Sequence, residues 1–167
     1  MKIDRRTAVG GAAGVGVLAT VAALWRGNGA AEAKASPGGF EIELSDAEWK
    51  ARLSPAAYRV LRHEGTERAG SSPLNQEKRE GIYACAGCDL PLYPSKTKYE
   101  SGTGWPSFYA PLPDAIGTKE DDTFFTRRTE VHCRRCGGHL GHVFDDGPPP
   151  TGLRYCMNGD AMKFVAA

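Results

Sequence analysis

The 167-residue sequence has no cluster of basic residues of the kind that binds nucleic acid. Lys and Arg number 21 and Asp and Glu number 20. Residues 1–35 hold five of these bases and two of these acids, so the remainder carries 16 and 18, a net charge of −2. No basic run in that remainder is longer than two residues. Binding to phosphates normally needs a basic patch, so a nucleic-acid partner is not expected.

The sequence also lacks a hydrophobic run long enough for an ordinary membrane span. Its most apolar stretch, residues 8–24, is rich in Gly and Ala and falls short of the ~20 apolar residues that a spanning helix needs. Arg5 and Arg6 precede it, and two A-x-A motifs follow within residues 31–35. These features resemble a twin-arginine export signal. We expect residues 1–35 to direct export to the periplasm, with an uncleaved membrane anchor as the alternative.

One domain is predicted after this segment. Residues 36–44 begin Ser-Pro-Gly-Gly and suggest a flexible lead-in to a domain at residues 45–167. An S-x-x-E capping box opens residues 45–53 and predicts a short helix there. A Ser-Pro pair opens residues 54–65 in the same way, with serine as the N-cap and proline at the first helical position. Nothing marks an assembly surface, so a monomer is expected.

Helical periodicity is absent beyond Gly81. Short β-branched and aromatic runs follow, at residues 82–85, 123–126, 129–133, 142–144 and 153–156. Clusters of Gly, Pro and Asp separate them, such as residues 117–122 and 145–150. This pattern is typical of antiparallel sheets with tight turns. We predict a mainly β fold in which two small antiparallel sheets face each other behind short N-terminal helices.

Cysteine is scarce, and its spacing is informative. Four of the five cysteines form two C-x-x-C pairs, Cys85 with Cys88 and Cys133 with Cys136. Two intervening residues allow both sulfurs of a pair to bind one ion, and four thiolates without imidazole indicate tetrahedral Zn²⁺ in a closed structural site. Two disulfides, or one C-x-x-C acting as a redox pair, are the alternatives in an exported protein. A C-x-x-C disulfide closes a very small loop and adds little stability.

The fifth cysteine, Cys156, has no obvious partner and is therefore a candidate nucleophile, with an inert packing residue as the alternative. His139 and His142 lie three residues apart near the second pair, and imidazoles beside a cysteine suit acid chemistry and thiolate stabilisation. A second metal site is the alternative for them, but no third ligand group is evident nearby. Arg154 adds positive charge. Trp105 places a flat ring at a Gly-rich turn, where it could hold a methyl-sulfur group.

Together these motifs are similar to those of the methionine sulfoxide reductase B family. The similarity runs from residue 45 to about residue 164 and includes S-G-x-G-W-P-S-F, C-x-x-C-G-G-H-L-G-H-V-F-D-D-G-P and L-R-Y-C-x-N. The resemblance implies a β-tent-like fold with structural zinc. It also implies an enzyme that reduces the R-epimer of methionine sulfoxide in oxidised proteins.

The resemblance further implies roles for individual residues. Cys156 would attack the sulfoxide sulfur and become a sulfenic acid, and one of the two histidines would protonate the leaving oxygen. The implied catalytic residues are Cys156, His139, His142 and Asn158, and the implied substrate-binding residues are Trp105, Phe108 and Arg154. Arg154, together with Asp145 or Asp146, would also orient the residues of the site.

One position departs from the family pattern. Many members carry a resolving cysteine where this chain has Thr103, and here no sixth cysteine exists. We predict that no intramolecular disulfide closes the cycle and that an external thiol, such as a thioredoxin-like domain, reduces the sulfenic acid. A zinc-knuckle binding module without catalysis is the alternative function. Such a module would not need the free cysteine, the paired histidines or the Trp-Pro turn.

Overall fold

The computed structural model describes residues 39–122 and 127–167. The predicted export segment, residues 1–35, lies outside the described residues, and so does the predicted strand at residues 123–126. Within the described ranges, no helix combines the length and the apolar character that crossing a membrane requires.

Both predicted helices are present, as α1 (Asp46–Arg52) and α2 (Pro55–His63). The capping box before α1 is complete, since the Ser45 hydroxyl accepts a hydrogen bond from the Glu48 N–H at 3.4 Å and the Glu48 carboxylate accepts one from the Ser45 N–H at 2.8 Å. Before α2, the Ser54 hydroxyl accepts the N–H of the third helical residue at 3.2 Å. Local capping therefore fixes where each helix starts.

Nine strands in the described residues form two antiparallel sheets. They are β1 (Gly81–Cys85), β2 (Pro91–Pro94), β3 (Lys98–Tyr99), β4 (Ser107–Phe108), β5 (Ile116–Asp121), β6 (Arg128–Cys133), β7 (His139–Phe144), β8 (Arg154–Met157) and β9 (Met162–Ala166). The smaller sheet has the order β2-β1-β9, and the larger has the order β3-β4-β8-β7-β6-β5. A single 3-10 turn at residues 73–75 lies between α2 and β1, and two more, at residues 95–97 and 159–161, lie between strands. The predicted mainly β fold with two antiparallel sheets is confirmed.

The prediction of a turn at residues 117–122 is wrong, because most of this segment is strand β5. It pairs with β6 from Ile116 opposite Cys133 to Asp121 opposite Arg128. All six of its residues are exposed or half-buried. Apart from Ile116 they are Gly or polar, so the segment has no apolar alternation by which a strand is recognised. Backbone pairing and charged cross-strand contacts hold it at the sheet edge, including a 2.6 Å contact between Arg128 and Asp121.

Aromatic rings join the two sheets in the core. The Phe108 ring stacks on that of Tyr93, with centroids 4.4 Å apart, and meets the ring of Tyr83 edge-on at 4.9 Å. Tyr83 and Tyr93 belong to the smaller sheet and Phe108 to the larger. The buried Tyr93 hydroxyl donates a hydrogen bond to Met157 Sδ at 3.2 Å. This packing fixes β8, which carries Cys156, against the smaller sheet.

Part of the predicted lead-in, residues 36–44, lies against the second C-x-x-C loop. The Ile42 N–H donates a hydrogen bond to the Arg135 carbonyl at 3.0 Å. The Glu41 carboxylate contacts Arg134 at 2.6 Å and Arg135 at 3.5 Å. The end of this segment therefore packs on the folded domain.

Candidate active site and metal centre

The two C-x-x-C pairs converge, although 44 residues separate them in sequence. All four Sγ atoms are buried and lie within 4.8 Å of one another. Cys85 and Cys136 are 3.8 Å apart, and Cys88 and Cys133 are 3.5 Å apart. A tetrahedral ion with metal–sulfur bonds of about 2.3 Å requires sulfur–sulfur distances of about 3.8 Å, whereas disulfides require about 2.0 Å. The four thiols are free, so the cluster can bind one metal ion and does not form two disulfides.

Both pairs occupy the same kind of turn at the end of a strand. After β1, the Asp89 N–H donates to the Cys85 carbonyl at 3.0 Å, and after β6, the Gly137 N–H donates to the Cys133 carbonyl at 2.9 Å. Asp89 and Gly137 follow the second cysteine of their pairs and have φ of 62° and 66°. The left-handed residue turns the chain back over the two sulfurs. The two loops therefore present their thiols in equivalent geometry.

Cys156 lies apart from this cluster, on β8, at a cleft of about 140 Å³. His142, Asn158 and Trp105 line the same cleft. The sheet register places His142 directly opposite Cys156 across β7 and β8. Phe144, at the end of β7, adds a second aromatic side chain to the walls. The fold therefore brings together a thiol, an imidazole, a carboxamide and two aromatic rings from separate parts of the sequence.

The predicted substrate contact at Phe108 does not agree with the structure. Its ring is fully buried in the core against Tyr93. In β4, Ser107 pairs with Cys156 and Phe108 pairs with Tyr155. Successive side chains of a strand point to opposite faces, so Ser107 shares the face of Cys156 and Phe108 points away into the core.

A turn with two left-handed glycines positions Trp105. Gly102 and Gly104 have φ of 73° and 90°, and they flank Thr103 as the sequence motif suggests. The Gly70 N–H donates a hydrogen bond to the Gly104 carbonyl at 2.7 Å. This contact ties the turn to the loop that follows α2 and fixes the position from which the indole reaches the cleft.

The two histidines belong to a chain of polar contacts behind the cleft. His142 Nε2 lies 2.8 Å from Asp121 Oδ2, and burial lowers the pKa of His142 although this carboxylate opposes the shift. The His139 ring is 5.4 Å from that of His142 and is not part of the cleft wall. Its Nδ1 lies 2.8 Å from Glu130 Oε1, and the other Glu130 oxygen is 2.8 Å from Lys119 Nζ. Burial lowers the pKa of His139 to about 4, so it is neutral at pH 7.

Hydroxyl groups surround the Cys156 thiol on its other side. Thr103 Oγ1 is 3.9 Å from Cys156 Sγ. It also contacts Ser101 Oγ at 2.8 Å, and Ser101 Oγ contacts Ser107 Oγ at 2.7 Å. Burial raises the pKa of the Cys156 thiol, whereas the Thr103 hydroxyl and the charge of Arg154 lower it. The balance leaves Cys156 as a protonated thiol at neutral pH.

Arg154 supports the cleft from outside and is not part of its lining. Its guanidinium makes two 2.8 Å contacts with the Asp146 carboxylate and lies 4.3 Å from the centroid of the Phe144 ring. Of the two aspartates proposed to orient the site, the structure pairs Asp146 with Arg154. Stacked and bidentate contacts of this kind fix both the arginine and the aromatic ring beneath it.

At Gly141, which also lines the cleft, β7 and β8 approach so closely that no side chain lies between them. A Cβ at this position would lie 2.2 Å from the Cys156 carbonyl oxygen and 3.0 Å from Met157 Cα. No larger residue fits without moving the strand that carries the thiol. The glycine of the H-L-G-H motif is therefore required by the close approach of the strands.

Comparison with known proteins assigns the chain to a family. The SelR domain matches residues 53–166. This chain belongs to the SelR (MsrB) family. Relatives named "Peptide methionine sulfoxide reductase MsrB" include that of Leptospira interrogans, 52% identical over 126 residues, covering 75% of this chain and 96% of the relative. Those of Agrobacterium fabrum and Methanosarcina barkeri are 50% and 53% identical, over 74% of this chain and 93% and 87% of the relatives. The resemblance inferred from the motifs is confirmed.

Three acidic residues of this SelR domain were not identified by sequence reasoning. Asp121 and Glu130 contact the two histidines, and Glu67 is buried behind Trp105 and Asn158. All three lie outside the Cys and His motifs, and Asp121 falls in an acidic segment, residues 120–122, that was predicted to be a turn. Only the alternation of Glu130 with Val131 in a predicted strand could have indicated which way one of them points.

Proposed function

We propose that this chain reduces the R-epimer of methionine sulfoxide in proteins to methionine, with Cys156 as the nucleophile. The observation that carries the proposal is the position of Cys156, which lies outside the four-sulfur cluster and beside Trp105 and His142 at a cleft. The curated relatives of the chain bear the name of this activity. Each class of methionine sulfoxide reductase accepts one sulfoxide epimer.

The reaction transfers one oxygen atom between two sulfurs. Cys156 Sγ attacks the sulfoxide sulfur and forms a sulfur–sulfur bond with it. As the oxygen moves to Cys156, a bond forms between Sγ and oxygen, while the sulfur–sulfur bond and the sulfur–oxygen bond of the sulfoxide break. The substrate sulfur gains two electrons and leaves as the thioether of methionine. The cysteine sulfur loses two electrons and becomes a sulfenic acid, whose hydrogen is the one that the thiol carried.

That thiol hydrogen must reach the sulfoxide oxygen, because expelling an unprotonated oxide is prohibitive. Cys156 is protonated at neutral pH, and burial keeps both histidines from holding an extra proton. His142 lines the cleft opposite Cys156, whereas His139 lies behind it. We assign the transfer of the proton from thiol to oxygen to His142 and the support of His142 to His139.

The cleft walls fit the rest of the methionine sulfoxide side chain. Trp105 and Phe144 provide aromatic surface for the ε-methyl group, since methyl-sulfur groups bind aromatic rings favourably. Two hydrogen bonds hold the Asn158 side chain. Its Nδ2 donates to the Leu140 carbonyl at 3.1 Å, and its Oδ1 accepts from the Glu67 N–H at 2.9 Å. A fixed carboxamide can orient the sulfoxide oxygen or a water molecule without first being ordered.

Regeneration of Cys156 needs a thiol from outside the chain. The group next to Cys156 is the Thr103 hydroxyl, and the other four thiols form the buried cluster. An external thiol condenses with the sulfenic acid to give a mixed disulfide and water, and a second thiol releases Cys156 as the thiol. A dithiol protein of the thioredoxin type supplies both thiols from one molecule.

The four-cysteine cluster is proposed to hold a structural Zn²⁺. The donor set of four thiolates and the spacing of 3.5–3.8 Å between opposite sulfurs fit a tetrahedral ion. When bound, the ion ties the loop after β1 to the loop after β6. Metal analysis of Cys133→Ser tests this assignment, with loss of stoichiometric zinc expected and retention of one zinc per chain contradicting the four-sulfur site.

We also propose that residues 1–35 direct export by the twin-arginine route and that the enzyme acts on periplasmic proteins. Arg5, Arg6 and the weakly apolar run support this. The route carries folded proteins, which allows the thiolates to bind metal before they meet an oxidising compartment. Replacing both arginines by lysine should retain the protein in the cytoplasm, and unchanged export would contradict the proposal.

The activity is tested by turnover of a peptide containing R-methionine sulfoxide with dithiothreitol as reductant. Wild type should be active, Cys156→Ser should lose activity, and the peptide with the S-epimer should serve as the matched substrate control. Activity that survives in Cys156→Ser rules out the assigned nucleophile. A wild-type protein that binds zinc but reduces neither epimer would instead be the non-catalytic zinc-knuckle module.

A further inference from the structure

We propose that Glu67 is a positioning residue that holds Trp105 and Asn158 in place for substrate binding. This inference rests on the proposed function, because it concerns how the same cleft binds the sulfoxide side chain. It assigns a role to the loop after α2, in which no motif indicates function. Glu67 touches neither Cys156 nor the cleft directly, so its effect must pass through its neighbours.

The Glu67 carboxylate is an anchor inside the protein. The residue is 3% exposed. Oε1 accepts a hydrogen bond from the Gly159 N–H at 2.8 Å, and Oε2 accepts one from the Asp160 N–H at 2.9 Å. No basic side chain forms an ion pair with it among residues 39–122 and 127–167. Burial raises the pKa of the Glu67 carboxyl and the two backbone N–H groups oppose this shift, so they offset part of the cost of burying the carboxylate.

The backbone of the same residue binds two parts of the cleft. The Glu67 N–H donates a hydrogen bond to Asn158 Oδ1 at 2.9 Å, and the Glu67 carbonyl accepts one from Trp105 Nε1 at 3.2 Å. The preceding residue, Thr66, lines the cleft. The carboxylate fixes the loop to the turn after β8, and the fixed backbone then orients an indole and a carboxamide that face the substrate.

Thiol chemistry should be insensitive to this anchor. Cys156 receives its polar contacts from Thr103, Ser107 and Arg154, and Glu67 contacts none of these. A residue needed only for overall stability would lower the melting temperature and leave the bound state unchanged. A positioning residue should weaken binding of the sulfoxide while the reactivity of Cys156 toward alkylation stays the same.

Glu67→Gln is the direct test, because it keeps the size of the side chain and removes one of the two acceptors. Loss of this charge-assisted hydrogen bond should loosen the loop that holds Trp105 and Asn158, so peptide binding should weaken about tenfold. In the Cys156→Ser background, the Kd of an R-methionine sulfoxide peptide is measured by tryptophan fluorescence. In the active enzyme, KM should rise about tenfold, kcat should change less than about threefold, and alkylation of Cys156 by iodoacetamide should keep its rate.

A matched control and a second variant complete the test. Glu80→Gln makes the same chemical change at an exposed carboxylate and should leave Kd and KM unchanged. Glu67→Asp keeps the charge but shortens the anchor by one methylene, and it is used for the same measurements if Glu67→Gln does not fold. Trp105→Phe removes the N–H that the Glu67 carbonyl accepts, so the effect of Glu67→Gln should shrink in that background.

The outcomes separate this inference from the proposed function. Cys156→Ser that binds no sulfoxide peptide at all would contradict the proposed function. The role of Glu67 would be overturned if the Cys156→Ser protein and the Cys156→Ser, Glu67→Gln protein bound the peptide with the same Kd. Equal fold-changes for Glu67→Gln in the wild-type and Trp105→Phe backgrounds would also overturn it, because the two residues would then act independently.

Discussion

Acidification should destabilise this protein through His139, and the effect can be isolated by replacing that residue with glutamine. The pKa of His139 is about 4 in the folded protein because the ring is buried, against about 6.5 for histidine in an unfolded chain. Above pH 6.5 the ring is neutral in both states. Between pH 6.5 and 4 the unfolded chain binds a proton that the folded protein does not, so stability falls as the pH falls. The full loss below pH 4 is about 3 kcal/mol.

The groups around His139 act in both directions. Burial is the largest cause of the lowered pKa; Glu64 and Asp121 oppose it, and Lys119 and Arg128 add to it. Glu130 contacts the ring directly, but its second oxygen already lies 2.8 Å from Lys119 Nζ. The negative charge that would favour a protonated imidazole is therefore partly balanced by a cation, and the neutral ring is retained.

Urea unfolding at pH 7.0 and pH 5.5 provides the measurement. Over this interval the contribution of His139 should decrease by about 1 kcal/mol. The free energy of unfolding of wild type should therefore fall by about 1 kcal/mol more than that of His139→Gln. Thiolate ligands also bind protons in acid, but they do so in both proteins and cancel in the comparison. His63→Gln, at an exposed histidine in the last turn of α2, controls for removing an imidazole. Equal losses in wild type and His139→Gln would refute the reasoning and indicate that His139 is protonated as an ion pair with Glu130.

Two further predictions concern Thr103 and Phe108. Thr103→Cys should place a thiol within reach of Cys156, since the distance from Thr103 Oγ1 to Cys156 Sγ is 3.9 Å. After one turnover without reductant, thiol titration should show a loss of two thiols per chain in the variant and of one in wild type. A loss of only one thiol in the variant would contradict the geometry. Phe108→Leu should lower the free energy of unfolding by about 1–2 kcal/mol, because the ring packs in the core. Its KM should stay within twofold of wild type. A large rise in KM in a stable variant would show that Phe108 contributes to substrate binding.

Sequence patterns predicted the parts of the fold that depend on local chemistry. The Ser-x-x-Glu box before α1 and the Ser-Pro pair before α2 were enough to predict where each helix begins. Each motif acts through hydrogen bonds within a few residues of sequence. The C-x-x-C pairs likewise predicted a four-sulfur cluster, because thiols at that spacing have few other uses. The strands at β1, β6, β7 and β8 carry enough β-branched and aromatic residues to be recognised.

The remaining features depend on register and on contacts distant in sequence. The strand β5 was missed because its charged residues are stabilised by pairing with β6, which its own composition does not show. Phe108 and Ser107 are adjacent in a promising motif, and only the pairing of β4 with β8 decides which of them faces Cys156. Glu67 contacts residues 91 to 93 positions away, so no local pattern could have indicated its partners.

The close approach of β7 and β8 at Gly141 has a consequence for redesign. Because residue 141 admits no side chain, the cleft wall beside the Cys156 thiol cannot be reshaped by substitution at this position without displacing Cys156 itself. We expect selectivity for one sulfoxide over another to reside in the other residues that line the cleft, among them Thr66, Trp105, Arg128 and Phe144. Attempts to broaden the range of accepted sulfoxides should therefore vary these walls, and libraries that randomise position 141 should yield few folded, active members.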